Sequence, residues 1–158
     1  MRCSGGAERA VLRIETVSPV HPDARRLLDG AADVLKRITG SDGRASFQDW
    51  LDDDRHVFLL ARENSGAAVG CGGVRPLQPG VGEIKRMYAA QPGLGIGAAL
   101  LAALEVEARA RGYRELWCET RRVNEAAVRF YKGRGYAVRD NYGRYAGRSE
   151  AVCFNKAL

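Results

Sequence analysis

Three glycines, Gly93, Gly95 and Gly97, alternate where a strand-like stretch from Glu83 to Tyr88 hands over to a helical one. Glycine lets the backbone turn there without Cβ clashes, and the first N–H groups of a helix have no partner within it. With the positive end of the helix dipole behind them, such amides form a seat for phosphate. A sharp turn with no ligand would use the same residues.

Two nucleotide-binding designs share this strand, turn and helix. The dinucleotide fingerprint requires G-x-G-x-x-G after a fully buried strand, with an acidic residue about 20 positions on. Here the spacing is G-x-G-x-G, and the strand carries Glu83, Lys85 and Arg86, which suits a half-exposed mixed sheet. Glu119 could mimic the ribose-binding acid and keeps that design as a minor alternative. A Walker loop is excluded, because no Lys-Ser or Lys-Thr follows the glycines.

The elements that position the turn are legible on either side. After it, Ile96, Leu100, Leu104 and Ala108 form one stripe at spacings of four, and Glu105 and Glu107 each precede an arginine by four residues. Gly112 stops this helix. Upstream, Val11 to Val17 reads as a strand, followed by a helix from Pro22 with the stripe Ala24, Leu27, Leu28, Ala31, Leu35 and Ile38, broken at Gly40. His56 to Arg62 and Ala67 to Arg75 read as a hairpin, and Pro76 to Gly82 as a loop. Downstream, Glu115 to Thr120 is the next strand, Asn124 is a good N-cap for a helix running through Tyr131, and two short strands enclose a polar segment before the end.

Two of these segments resemble the GNAT superfamily of N-acetyltransferases. Pro92-Gly93-Leu94-Gly95-Ile96-Gly97-Ala98, followed by Ala99-Leu100-Leu101, is similar to the family's acetyl-CoA signature, with Pro92 in the slot of its usual Gln or Arg and Gln91 one place early. Asn124 to Tyr136 resembles its N-x-x-A-x-x-F-Y-x-x-x-G-F/Y segment. The likeness spans roughly Val11 to Leu158. It implies an α/β (α+β) fold in which a mixed, mostly antiparallel sheet has a parallel central strand pair splayed to hold CoA, flanked by about four helices.

The resemblance also implies roles. Backbone amides of Gly93, Leu94, Gly95, Ile96, Gly97 and Ala98 would hold the pyrophosphate. Pro92 contributes no N–H and should weaken that grip. Met87, Tyr88 and Ala89 match a strand bulge that leaves an N–H free for the thioester carbonyl. Asn124 would contact the CoA arm, and Tyr131 would sit near its sulfur. Arg44, Phe47 and Trp50 fall in a region that forms one wall of the family's acceptor site. The acceptor would be an amine of a small molecule or peptide. An ammonium must lose a proton before it attacks a thioester, so a base is needed and the departing thiolate benefits from an acid. Tyr131 suits the acid, and Glu83 and Glu119 are the candidate bases, with Glu83 preferred because the family often uses that position. Direct transfer is expected, with the alternatives of a domain that only binds acyl-CoA and of a covalent acetyl-Cys118 enzyme. Homodimers are common in the superfamily.

Length and composition agree with this. The 158 residues suit one domain, residues 1–158, with positions 1–9 a loose tail. With 46% hydrophobic and 28% charged residues the composition is that of a globular chain. No segment approaches the roughly 18 apolar residues of a membrane span, and the N-terminus has no apolar block of the secretory kind, so a cytoplasmic location is expected. The net charge of +6 would suit a polyphosphate co-substrate. A nucleic-acid-binding module is disfavoured, since the arginines are scattered with no basic arm or aromatic-studded strand. The four cysteines stand far apart, and metal-site spacing is absent, so no metal is expected.

Overall fold

The computed structural model describes residues 11–41 and 56–158. Arg44, Phe47 and Trp50 lie outside the described residues.

Among the described residues seven strands form one sheet: β1 (Arg13–Thr16), β2 (Val57–Arg62), β3 (Ala68–Gln78), β4 (Val81–Ala89), β5 (Glu115–Arg121), β6 (Ala137–Arg139) and β7 (Ala151–Ala157), in the order β1-β2-β3-β4-β5-β7-β6. Among the described residues only β4 and β5 pair parallel. Three α-helices accompany them among the described residues: α1 (Pro22–Thr39), α2 (Ile96–Ala110) and α3 (Glu125–Gly133), with a 3₁₀ turn at Gly143–Tyr145.

Alternation along β2 fixes the layers. Val57, Leu59 and Ala61 pack with Ile96, Leu100 and Leu104 of α2, whereas Phe58 and Leu60 pack with Ala24 and Leu27 of α1. The sheet is therefore covered on both faces, by α2 and α3 on one and α1 on the other. On the α2 side the approach is close. A Cβ on Gly70 would stand 2.5 Å from Ile96 and 2.9 Å from Leu100, so only glycine lets the helix settle there. At the far side Arg62 of β2 joins Glu15 of β1 (2.5 Å) and Asp23 of α1 (2.8 Å), which holds both carboxyl groups below the usual carboxylate range.

Several boundaries differ from the sequence reading for local reasons. β3 runs through Pro76, read above as loop. Its β2 partner ends opposite Val74, so the missing proline N–H interrupts no ladder on that side. Of the two glutamate–arginine pairs expected on α2, Glu107–Arg111 forms. Glu105 instead accepts from the Tyr136 hydroxyl and from Lys156 Nζ, both at 2.9 Å, tying α2 to β7 and the segment before β6.

Candidate active site

The sheet is split at its parallel pair. Val81, Gly82 and Glu83 pair with Glu115, Leu116 and Trp117, and the ladder ends there, although β4 continues to Ala89 and β5 to Arg121. Beyond Glu83 the two strands diverge. A cleft of 430 Å³ opens between them, reaching Met87 and Tyr88 of β4, Glu119 of β5, Asn124 and Tyr131 of α3, and the distal half of α1.

A bulge bends β4 at this point. Gly73 pairs with Lys85 and Cys71 with Tyr88, so Arg86 and Met87 together oppose Gly72 alone. Arg86 takes φ 60°, a value glycine adopts readily and arginine rarely. The irregularity thus begins at Arg86, one residue before the segment Met87–Ala89 expected to contain it. Tyr88 is committed to packing: a Cβ on Gly30 of α1 would lie 3.0 Å from its hydroxyl. Met87 and Ala89 pack against the α2-side core.

Past β4 the chain turns through Gly93 (φ 82°) and Gly95 (φ 76°) into α2. Apart from the adjoining residues, no atom among the described residues lies within 4 Å of where a Cβ would stand on either glycine. Gly95 is the N-cap and supplies no side-chain cap, and the first turn of α2 holds no acidic residue. By contrast, α1 and α3 have both, His21 with Asp23 and Asn124 with Glu125. The amides of Ile96, Gly97 and Ala98 are left to an outside acceptor, while Ala99 N–H is used by Gly95 O at 3.1 Å. Ile96 can offer only its main chain, since its side chain is in the core, and Leu94 is exposed. Gly97 sits inside the helix against Phe130 rather than in the turn.

The two glutamates differ sharply. Glu83 is buried and engaged: Oε1 accepts from Arg75 Nε at 2.8 Å and Oε2 from the Tyr142 hydroxyl at 2.5 Å. It does not line the cleft. Glu119 does, and its Oε1 is buried with no hydrogen-bond partner among the described residues. Burial raises its pKa above the usual glutamate value, more than the charges of Arg121 and Lys85 lower it.

Tyr131 is 7% exposed, its ring set among Phe130, Tyr136 and Phe154 at centroid distances of 5.2–5.8 Å. Its hydroxyl makes no hydrogen bond among the described residues, and burial pushes its pKa well up, so it remains a phenol able to donate. Asn124 Oδ1 caps α3 through Ala127 N–H at 3.3 Å while the residue also lines the cleft. Cys118 lies in the core with its thiol pKa pushed well up by burial, so it supplies no ready thiolate. A second hollow, 510 Å³, lies between α3 and the β6–β7 edge and includes none of Glu119, Tyr131 or the glycine turn.

A sheet parted at one parallel pair, with an uncapped helix start at the end of the parting, is the arrangement that the resemblance to acyl-CoA-dependent acyltransferases implies. The comparisons place the chain within that class. Residues 20–136 match the Acetyltransferase (GNAT) family. The chain is 40% identical over 104 residues to an IAA acetyltransferase of Azospirillum brasilense, a stretch covering 64% of this chain and 67% of that protein. A structure assigned as an acyl-CoA N-acyltransferase from Klebsiella pneumoniae subsp. pneumoniae shares 30% identity at a TM-score of 0.81, covering 93% of this chain and 97% of that one. A GNAT family acetyltransferase from Elizabethkingia anophelis with acetyl-CoA bound shares the fold, at 17% identity and a TM-score of 0.66 over 93% of this chain and 98% of that one. The chain belongs to the GNAT acetyltransferase family, and acetyl-CoA is its co-substrate.

Proposed function

We propose that the protein moves the acetyl group of acetyl-CoA to a primary amine of a small molecule or peptide by direct attack, with Glu119 as base and Tyr131 as acid. The observation that carries this is Glu119 Oε1, buried inside the parted seam with no hydrogen-bond partner among the described residues. A carboxylate with a raised pKa is matched to taking a proton from an amine near neutral pH. Glu83 cannot serve without first giving up Arg75 and Tyr142, so its part in this reading is structural.

Acetyl-CoA, when bound, supplies an activated acyl thioester. The protein's own groups do the rest. The bare amides of Ile96, Gly97 and Ala98 hold the pyrophosphate, and the side chain of Asn124 borders the CoA arm. Glu119 accepts the proton that leaves the attacking amine. The Tyr131 hydroxyl donates to the departing sulfur, which would otherwise carry its charge in an apolar setting. Holding both reactants in one seam supplies much of the acceleration.

Release of free thiol from acetyl-CoA, followed with a panel of amines, tests the reading. Amine-dependent release that falls in Glu119→Gln and Tyr131→Phe is the expected result. Release independent of any amine, or undiminished in both variants, would overturn it. A cytoplasmic location and a homodimer belong to the same reading, the first tested by cell fractionation and the second by sedimentation of the purified chain.

A further inference from the structure

The cleft passes through the sheet, and its two mouths differ in character. In β5, Leu116 and Cys118 point to the α2 side, so Trp117 and Glu119 point to the other. On that second side stand α1 and the segment between β6 and β7. The apolar stripe of α1 begins in the core, with Ala24 and Leu27 at 0% and 5% exposure. It does not end there: Val34, Leu35 and Ile38 line the cleft instead, and Ile38 is 40% exposed.

Opposite this apolar wall the charge is one-sided. Lys85, Arg86, Arg121, Arg144 and Arg148 line the cleft, against Glu119 as the one acidic residue among the described lining. Lys85 is held by the Tyr145 hydroxyl at 2.8 Å and stands 3.7 Å from Glu83 Oε1, and Arg121 is held by Glu150 at 3.4 Å, which leaves Arg144 and Arg148 as the cleft cations that no carboxylate is shown to pair. Arg144 rests on Tyr145, 5.3 Å from its ring centre, and its field reaches Glu119. Arg148 anchors the loop by its main chain, donating to Tyr145 O at 3.0 Å and accepting from Asn141 Nδ2 at 2.8 Å. Its guanidinium has no partner among the described residues. Arg144 and Arg148 stand away from the glycine turn, on the opposite side of the sheet from α2, so the pyrophosphate seat does not account for them.

A mouth with this surplus of cations repels a simple ammonium ion and admits an amine that carries its own negative charge. The same cations lower the pKa of a bound amine and so enlarge its reactive neutral fraction. We propose that the acceptor is a small amino acid-like molecule: an amine and a carboxylate on an apolar body, the carboxylate meeting Arg144 and Arg148 and the body lying on Val34, Leu35 and Ile38. This rests on the amine-acetylating reading above and narrows it.

Matched acceptors that differ by one carboxylate test it, namely phenylalanine against 2-phenylethylamine and leucine against isopentylamine, with the full chain and acetyl-CoA. The acid of each pair is expected to be used with a kcat/KM at least about tenfold higher, the worth of one charge-assisted contact. In Arg144→Gln/Arg148→Gln that preference falls about tenfold, mainly through KM for the acid, and Arg144→Lys/Arg148→Lys keeps part of it. Thermal melting of the variants reports that the fold is intact. Equal or better use of the carboxylate-free amines, polyamines or basic peptides, or a preference that survives both Gln substitutions, overturns the inference and leaves the amine reading standing. Thiol release with no amine at all overturns both.

Discussion

Glu119 and Tyr131 reach the parted seam from opposite faces of the sheet, the glutamate on the side of α1 and the tyrosine on the side of α2 and α3. The proposed function accordingly puts proton removal and proton donation at different mouths of one cleft. In the proposed reading the acceptor amine enters where the carboxylate is, and the thioester sulfur lies where the phenol is.

Glu119→Gln is expected to lower kcat about 10²–10⁴-fold, the usual worth of a positioned base. In the parent enzyme the acid limb of kcat/KM should rise with a midpoint above the ordinary glutamate value of about 4.3, because burial raises the Glu119 pKa. Steady-state rates from pH 4 upward, at saturating acetyl-CoA, check both. An acid limb that persists unchanged in the variant would remove Glu119 from the base role.

The same residue makes a stability prediction of opposite sign. A carboxyl group whose pKa is raised by folding binds its proton more tightly in the native state, so its contribution is fully present below the unfolded pKa and is lost as pH rises through the folded one. At neutral pH Glu119→Gln should therefore melt higher than the parent, by about 2–4 °C for each kcal/mol recovered. The difference should vanish near pH 4. Calorimetry at the two pH values reads it directly.

Tyr142→Phe tests the structural assignment of Glu83. The change removes the 2.5 Å donor to a carboxylate that is 1% exposed. A loss of about 1–3 kcal/mol in urea unfolding is expected, the cost of leaving a buried acceptor short of a partner. The pH dependence of kcat should keep its midpoint. A moved midpoint would return Glu83 to the proton path.

Gly95→Ala places a side chain at φ 76° and beside the bare amides of α2. The backbone cost is about 1–2 kcal/mol. Because a Cβ there meets nothing within 4 Å, packing is unaffected and the chain should still fold. A raised KM for acetyl-CoA with kcat less affected is the expected signature, read from initial rates at varied donor. Unchanged donor KM would detach the pyrophosphate from this turn.

What was legible in the sequence was what local chemistry determines. Ile96, Leu100, Leu104 and Ala108 announce their helix by spacing, and all four are buried. The glycines announce the turn because the φ values of Gly93 and Gly95 exclude most other residues. The bulge was harder to locate, since an arginine rather than a glycine holds its φ 60° position, and only the pairing with β3 reveals two residues opposite one. The preference for Glu83 came from the family resemblance, which implies a base at that position. Its engagement by Tyr142 depends on a residue 59 positions away, which no local pattern records. For the same reason Glu105 reads as a partner of Arg109, while the fold gives it Tyr136 and Lys156. The stripe on α1 was visible, but that its distal end would leave the core and wall the cleft depends on where the sheet parts.

The parting of β4 from β5 also separates what mutation can reach. In the proposed reading the donor's phosphates meet main-chain N–H groups, which every residue type except proline carries, so drift touches that contact only where the turn demands glycine. The proposed acceptor meets side chains on α1 and on the segment before β7, where a single codon can exchange charge or bulk. One scaffold can accordingly keep its donor and change its clientele.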